Sequence, residues 1–187
     1  MDNIIDPSKY PRFSDEEFVG FTPNVQSFHH IAYKCRNAEE TRHFYEDVLG
    51  LEFITAIQEE IADPKTGKAT EFLHIFFALP NGECIAFFDI GDGQGPATDP
   101  QTPAFVQHIA FAVPDKKSLF AMKERLAAAG IPVDYVRDHD FVWSIYFSDP
   151  NGYRLELACP GIIELRDKKA SAAENLRKWM SRERVTS

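Results

Sequence analysis

Cysteine is scarce in this chain of 187 residues, and no two cysteines have a CxxC spacing. Cys35, Cys84 and Cys159 are isolated, and each falls within or at the end of a segment that resembles a strand. Cysteines in such positions are most often small buried apolar residues. The pattern therefore argues against a disulfide framework or a cysteine zinc site, and it suits a reducing compartment.

Long apolar runs and an excess of basic residues are also missing. The longest runs, such as FLHIFFALP at 72–80, are about half as long as a membrane span. The amino terminus, MDNIIDPSKYPRF, has neither the basic region nor the apolar core of a secretory signal. The formal net charge of −9 gives no general attraction for phosphate backbones or anionic lipids. We therefore expect a cytoplasmic protein that binds neither nucleic acid nor membranes.

A duplication organises the chain. HIAYKC at 30–35 and HIAFAV at 108–113 are alike, and each precedes a helical pattern. Three segments typical of strands follow each helix, and the last hairpin of each copy carries PNG, at 80–82 and 150–152. The predicted fold is therefore α+β, with a strand, a helix and three strands used twice as two βαβββ modules.

The ends of the predicted elements follow from their residues. Asn37 and Asp115 are predicted to cap the two helices, and Gly50 and Gly130 to end them. The strands that follow the helices are predicted at 51–61, 70–79 and 83–90 in the first module and at 132–137, 141–148 and 152–158 in the second.

The modules are expected to form one domain over 25–160. Module one covers 25–90, the Gly/Pro-rich segment 91–103 is the linker, and module two covers 104–160. Residues 1–24 form an arm, and 161–187 a terminal helix. Five apolar residues of that helix could dock on the body or on another subunit: Ile162, Ile163, Leu165, Leu176 and Trp179. This apolar face and the open sheet edges favour a homodimer.

Alternation along the strands sorts the polar side chains by face. The apolar residues of each strand must pack on the helix of its module, so the residues between them face the other way. This parity places four polar side chains of otherwise apolar strands on the face away from the helices: His30, His108, Tyr146 and Glu156.

A glutamate that is buried in this way needs a partner. Glu156 stands between two leucines, and an unpartnered carboxylate there would be costly. If the two curved sheets form a cup, His30, His108 and Glu156 can converge on a metal ion, whose charge supplies the partner. His29 competes with His30 for this place, but only His30 is followed by Ile-Ala, as His108 is. A lone histidine would be read as a core residue, whereas two at equivalent places favour a metal site.

With these residues the chain resembles the vicinal oxygen chelate superfamily over about residues 26–159. That superfamily includes glyoxalase I, methylmalonyl-CoA epimerase, fosfomycin-resistance and bleomycin-binding proteins, and type I extradiol dioxygenases. The resemblance implies a cup-shaped mixed sheet around a metal, with ligand places at His30, Ala86, His108 and Glu156. Ala86 follows from aligning NGECIAF with NGYRLEL. A non-ligand there counts against the four-ligand glyoxalase and epimerase sites, and it leaves the two-histidine, one-carboxylate set typical of non-haem Fe(II).

The segment from His139 to Glu156 is similar to a signature of the extradiol enzymes. It reads His139, DFVWS, Ile145, Tyr146, FS, Asp149, Pro150, Asn151, Gly152, YRL and Glu156. The chain departs from the pattern at Arg137, where a small or aliphatic residue is usual, and in having two modules where many such enzymes have four. The resemblance implies a dioxygenase that uses Fe(II) and O₂ to cleave catechol-like small molecules, with Mn(II), Zn(II) or Ni(II) as alternative metals.

The same resemblance implies catalytic roles. Tyr146 and His139 would donate hydrogen bonds to the substrate oxygen and to the oxygen intermediate. Taken alone, His139 would be read as an exposed loop residue and Tyr146 as an aromatic that lines a cavity. The family's acid-base histidine has no clear counterpart. His74 shares the parity of Tyr146 and is our candidate, with a core histidine as the alternative.

Two further side chains are candidates for substrate contact. Phe76 aligns with Tyr146 and would suit an aromatic ring. Arg154 shares the parity of Glu156 and would bind an anionic group, unless it forms a salt bridge at the rim. The alternative function is a glyoxalase-like, metal-dependent lyase, isomerase or thiol transferase of the fosfomycin-resistance type. A cup that only binds its ligand is disfavoured by the three metal ligands.

Overall fold

Each half of the chain folds as a strand, a helix and three strands, as the duplication predicts. The structure is a computed structural model, and it describes residues 7–62, 66–97, 101–139, 142–161 and 169–182. The chain divides into two compact units, Met1–Ala97 and Thr98–Ser187, and the division falls inside the predicted linker.

The first module forms one four-stranded sheet. Its elements are β1 (His30–Cys35), α1 (Ala38–Arg42), β2 (Glu52–Ala62), β3 (Ala69–Ala78) and β4 (Cys84–Asp89). The strand order is β1-β4-β3-β2. β1 runs parallel to β4, and the other neighbours are antiparallel.

The second module repeats this topology. Its elements are β5 (Ile109–Ala112), α2 (Lys116–Ala128), β6 (Tyr135–Asp138), β7 (Val142–Ser148) and β8 (Arg154–Pro160). The order is β5-β8-β7-β6, again with the first and last strands of the module parallel and the others antiparallel. The α+β class and the two βαβββ modules are therefore confirmed.

The first helix begins where its cap was predicted. The side-chain oxygen of Asn37 accepts a hydrogen bond from the Glu40 amide at 2.9 Å. After Arg42 the α-helix continues as a π-helical turn, His43–Val48, which the sequence did not predict because a wider turn has no residue signature of its own. The turn ends before Gly50, whose φ of 82° suits a glycine.

Buried apolar side chains form a core in each module. In module one, Tyr45, Phe77 and Phe87 have no exposed surface. In module two the same is true of Leu119, Leu126, Ile145, Phe147 and Leu155. Cys35 and Cys159 are buried, as expected of small core residues, whereas Cys84 is half-buried.

Several element boundaries differ from the prediction. β6 begins at Tyr135, three residues later than expected, and β5 begins at Ile109, which leaves His108 just outside the strand. The terminal helix, α3, spans Lys169–Met180. Leu176 and Trp179 on it are exposed, whereas Ile162, Ile163 and Leu165 lie outside the described residues. No helix in the described part of the chain is long and apolar enough to cross a membrane.

Candidate metal and active site

The strand register defines equivalent places in the two modules. In module two, Glu156 on β8 lies opposite Ala110 on β5 and Tyr146 on β7. In module one, Ala86 on β4 lies opposite Ala32 on β1 and Phe76 on β3. The predicted equivalence of Ala86 with Glu156, and of Phe76 with Tyr146, is confirmed by this register. Module two therefore has a carboxylate and a phenol where module one has a methyl group and a phenyl ring.

Glu156 is buried and finds partners within its own module. Only 7% of the residue is exposed. Its Oε2 lies 2.9 Å from His108 Nε2, and its Oε1 accepts a short hydrogen bond from the Ser144 hydroxyl. The imidazole of His108 is partly exposed, whereas Ser144 is fully buried. The carboxylate therefore has one oxygen tied inside the sheet and one directed at an accessible imidazole.

Tyr146 lies beside this pair. Its ring is 6.0 Å from that of His108, and its hydroxyl oxygen is 3.3 Å from His139 Nε2. Burial raises the pKa of Tyr146, and the negative charge of Glu156 raises it further. The phenol therefore stays protonated at neutral pH and can donate a hydrogen bond. The signature residues His139, Tyr146 and Glu156, with His108, thus come together in one cluster.

Arg154 packs on the same cluster from one side. Its guanidinium carbon lies 4.8 Å from the Tyr146 ring centroid and 5.3 Å from that of Tyr135. It also donates to the Tyr135 hydroxyl at 2.6 Å and forms an ion pair with Asp134 at 3.3 Å. The salt bridge that the sequence left open is present, so Arg154 has structural partners beside any role in substrate binding.

Tyr135 was missed by the sequence reasoning. Its ring lies 4.9 Å from that of Tyr146, because β6 pairs with β7 so that these two residues are opposite each other. The predicted strand, 132–137, contained Tyr135. Its partner on β7 depends on the register of the hairpin, which the sequence analysis did not assign.

Module one carries histidines and aromatic rings at the corresponding places. The ring of His30 lies 6.3 Å from that of His74 and 5.5 Å from that of Phe76. His74 stacks on Phe88 with ring centroids 3.6 Å apart, and its Nε2 is buried with no hydrogen-bond partner among the described residues. Burial lowers the pKa of His74, and the nearby His30 lowers it further. A neutral imidazole is therefore favoured there.

The donor set of module two suits a divalent metal. The 2.9 Å between His108 Nε2 and Glu156 Oε2 matches the roughly 3.0 Å expected between adjacent octahedral ligands about 2.1 Å from an ion. Ser144 orients the carboxylate, as outer-shell groups do at metal sites. Across the residues that the structure describes, no three His, Cys, Asp or Glu side chains form a group that could hold a metal. His30 lies in the other unit, and its joining of this pair stays a prediction.

The contacts of Arg154 lead to a test of stability. Arg154→Lys should destabilise the fold by about 1–2 kcal/mol, because lysine loses the planar stacking on two tyrosine rings. Asp134→Asn should cost less than about 1 kcal/mol, since that ion pair is partly exposed. Urea unfolding measures both, with Arg137→Lys on exposed β6 as the control. An unchanged midpoint for Arg154→Lys would show that the stacking contributes nothing.

Comparisons with known proteins agree with this fold. The model of the glyoxalase/bleomycin resistance protein/dioxygenase superfamily matches residues 27–157. A glyoxylase/bleomycin resistance protein/dioxygenase domain from Frankia sp. EAN1pec is 20% identical, with a TM-score of 0.58 over 74% of this chain and 95% of its own. The fosfomycin resistance protein FosX from Mesorhizobium loti is 21% identical, with a TM-score of 0.54 over 79% and 99%. Lactoylglutathione lyase from Agrobacterium tumefaciens is 21% identical, with a TM-score of 0.51 over 74% and 96%.

Proposed function

Because the chain belongs to the glyoxalase/bleomycin resistance protein/dioxygenase superfamily, we propose that it is a metal-dependent dioxygenase of the extradiol ring-cleavage type. Its substrates would be O₂ and a catechol-like or other small molecule with vicinal oxygens. One observation carries the proposal. The buried Glu156 carboxylate meets His108 at 2.9 Å, and Tyr146 and His139 lie against that pair as hydrogen-bonding groups.

The metal would be held by His30, His108 and Glu156. This set leaves coordination positions open for a chelating substrate and for O₂, which favours Fe(II). Bound Fe(II) would lower the pKa of the substrate hydroxyl and supply electrons to O₂. The chain itself contributes the placement of the ligands, because Ser144 and the strand register fix the Glu156 carboxylate.

Tyr146 and His139 would handle protons at the substrate oxygens. The raised pKa of Tyr146 keeps the phenol protonated, so it can donate a hydrogen bond to a substrate oxygen as negative charge develops there. His139 Nε2 lies next to the phenol oxygen and can exchange a proton with it. The pair would form a short path for a proton between a substrate oxygen and the His139 imidazole.

Module one would supply the apolar contacts and a base. Phe76 and Phe88 present aromatic surface beside His30 and His74, and such surface favours a planar ring. Burial and the nearby His30 lower the pKa of His74, which favours a neutral imidazole. His74 stays our candidate for the group that would accept a substrate proton.

We further propose that the chain works as a homodimer in the cytoplasm. β2 is an edge strand with exposed Ile54, Ile57 and Ile61, and α3 exposes Leu176 and Trp179. Apolar edges of this kind favour association. Fe(II) and free thiols suit a reducing compartment.

Metal content and oxygen uptake test the function together. The full chain is purified without oxygen, its metals are measured, and oxygen consumption is followed with a panel of catechols and hydroquinones. We expect bound iron and oxygen uptake with at least one catechol. Bound iron without oxygen uptake on any compound would favour the alternative, a lyase, isomerase or thiol transferase using the same ligands. FosX and lactoylglutathione lyase share the fold, so their reaction classes supply the next substrates to assay.

A further inference from the structure

Ser144 is a polar residue at a fully buried position of β7. The next residue, Ile145, is also fully buried. A hydroxyl at such a place is destabilising unless it has a hydrogen-bond partner. The hydroxyl donates to Oε1 of Glu156, and the Tyr146 hydroxyl also interacts with both side chains. The serine is therefore explained by the polar groups that it contacts, of which the carboxylate is the charged one.

The two oxygens of Glu156 have different surroundings because of this contact. Oε1 is held inside the sheet by Ser144, whereas Oε2 faces His108 Nε2. We propose that Ser144 is a positioning residue that makes Glu156 a one-oxygen metal ligand, with Oε2 directed to the metal and Oε1 held back. This inference rests on the metal site of the proposed function. One-oxygen binding leaves one more coordination position for substrate and O₂ than two-oxygen binding would.

The corresponding place in module one supports a role specific to the carboxylate. His74 lies opposite Phe88 there, as Ser144 lies opposite Ala158 in module two. Module one has Ala86 in the place of Glu156, and a hydroxyl at position 74 would have no carboxylate to hold. The serine thus occurs in the module that contains the buried acid.

Cobalt binding tests this role without measuring turnover. The metal-free full chain is titrated anaerobically with Co(II), and visible absorption is recorded for the wild type and for Ser144→Ala. We expect about tenfold weaker binding, as for the loss of other outer-shell partners. The spectrum at saturating Co(II) should also change, because a carboxylate free to bind through both oxygens alters the coordination number.

Two further variants make the test specific. Ser148→Ala, at the exposed end of the same strand, should match the wild type in affinity and spectrum. Ser144→Cys is close to serine in size but is a weaker donor, so its affinity should fall between those of the wild type and the alanine variant. It also keeps the test valid if the alanine variant folds poorly, which thermal melting in a chelator would reveal.

The outcomes separate this inference from the proposed function. Wild-type Co(II) affinity and spectrum in a folded Ser144 variant would overturn the positioning role and leave the dioxygenase proposal untouched. If Ser144→Ala binds Co(II) more weakly but the wild type consumes no oxygen with any catechol, the positioning role is supported and the dioxygenase assignment is removed. A wild-type chain that binds no Co(II) would overturn both.

Discussion

Replacing Glu156 with alanine should abolish metal binding, and with it every metal-dependent activity of the chain. The change removes a proposed ligand and leaves the Ser144 hydroxyl buried without its acceptor. The loss of affinity should exceed the roughly hundredfold that removal of an outer-shell partner can cause. Metal analysis after anaerobic purification and calorimetric titration with Mn(II) measure it.

A second substitution separates loss of metal from loss of fold. Glu156→Gln keeps the shape of the side chain and an acceptor for Ser144, but it removes the charge. The glutamine variant should unfold at a urea concentration near that of the metal-free wild type and still fail to retain metal. Glu124→Ala, on the exposed face of α2, is the matched control and should bind metal normally. Metal retained at wild-type stoichiometry in Glu156→Ala would remove the proposed site.

Replacing Tyr146 with phenylalanine should lower kcat on the order of a hundredfold and weaken metal binding much less. The variant keeps the ring that packs on Tyr135 and Arg154 and loses the hydroxyl, which contacts His139 and Glu156 and would donate to the substrate. A positioned proton donor is typically worth between about a hundredfold and ten-thousandfold in rate. Steady-state oxygen uptake with the best catechol, together with Mn(II) titration, separates rate from metal binding.

His139 should act together with Tyr146. Its Nε2 contacts the Tyr146 hydroxyl, so His139→Ala should also lower kcat. The double variant should be little slower than the slower single variant, because groups that act together give non-additive effects. Tyr10→Phe in the exposed arm is the control for a lost phenol. Wild-type turnover in His139→Ala would show that the resemblance to the extradiol signature misled us about that residue.

The parts of the site that could be predicted are those fixed by alternation and by duplication. Strand parity placed Glu156 and Tyr146 on one face, and the shared PNG aligned Ala86 with Glu156, as the register shows. Both inferences need only the period of a β-strand and a common turn. The sequence brought Glu156 and His108 together only as ligands of one metal. Their direct contact depends on the parallel pairing of β5 with β8, which was not predicted.

The parts that could not be predicted depend on side-chain packing across strands. Parity put Ser144 on the face of Tyr146, but nothing in the letters indicated that its hydroxyl would hold the Glu156 carboxylate. The contact of Tyr135 with Arg154 depends on the register of β6 against β7, which the sequence analysis did not assign. From its parity, Arg154 was a candidate for binding an anionic substrate group. In the structure its ion pair with Asp134 already satisfies part of its charge.

The unequal modules have a consequence for changing this protein by design. Removing one partner of a buried charge is strongly destabilising, so we expect the partners of Glu156 in module two to tolerate few replacements. The equivalent places in module one, Ala86 and Phe76, are uncharged, and replacing one apolar side chain with another of similar volume is mild. Under the proposed function, substrate preference could be altered in one half of the chain while the chemistry of the other half is kept. Duplication would then have left uncharged positions beside His30 and His74 that can change with the substrate while the charged pair of module two stays fixed.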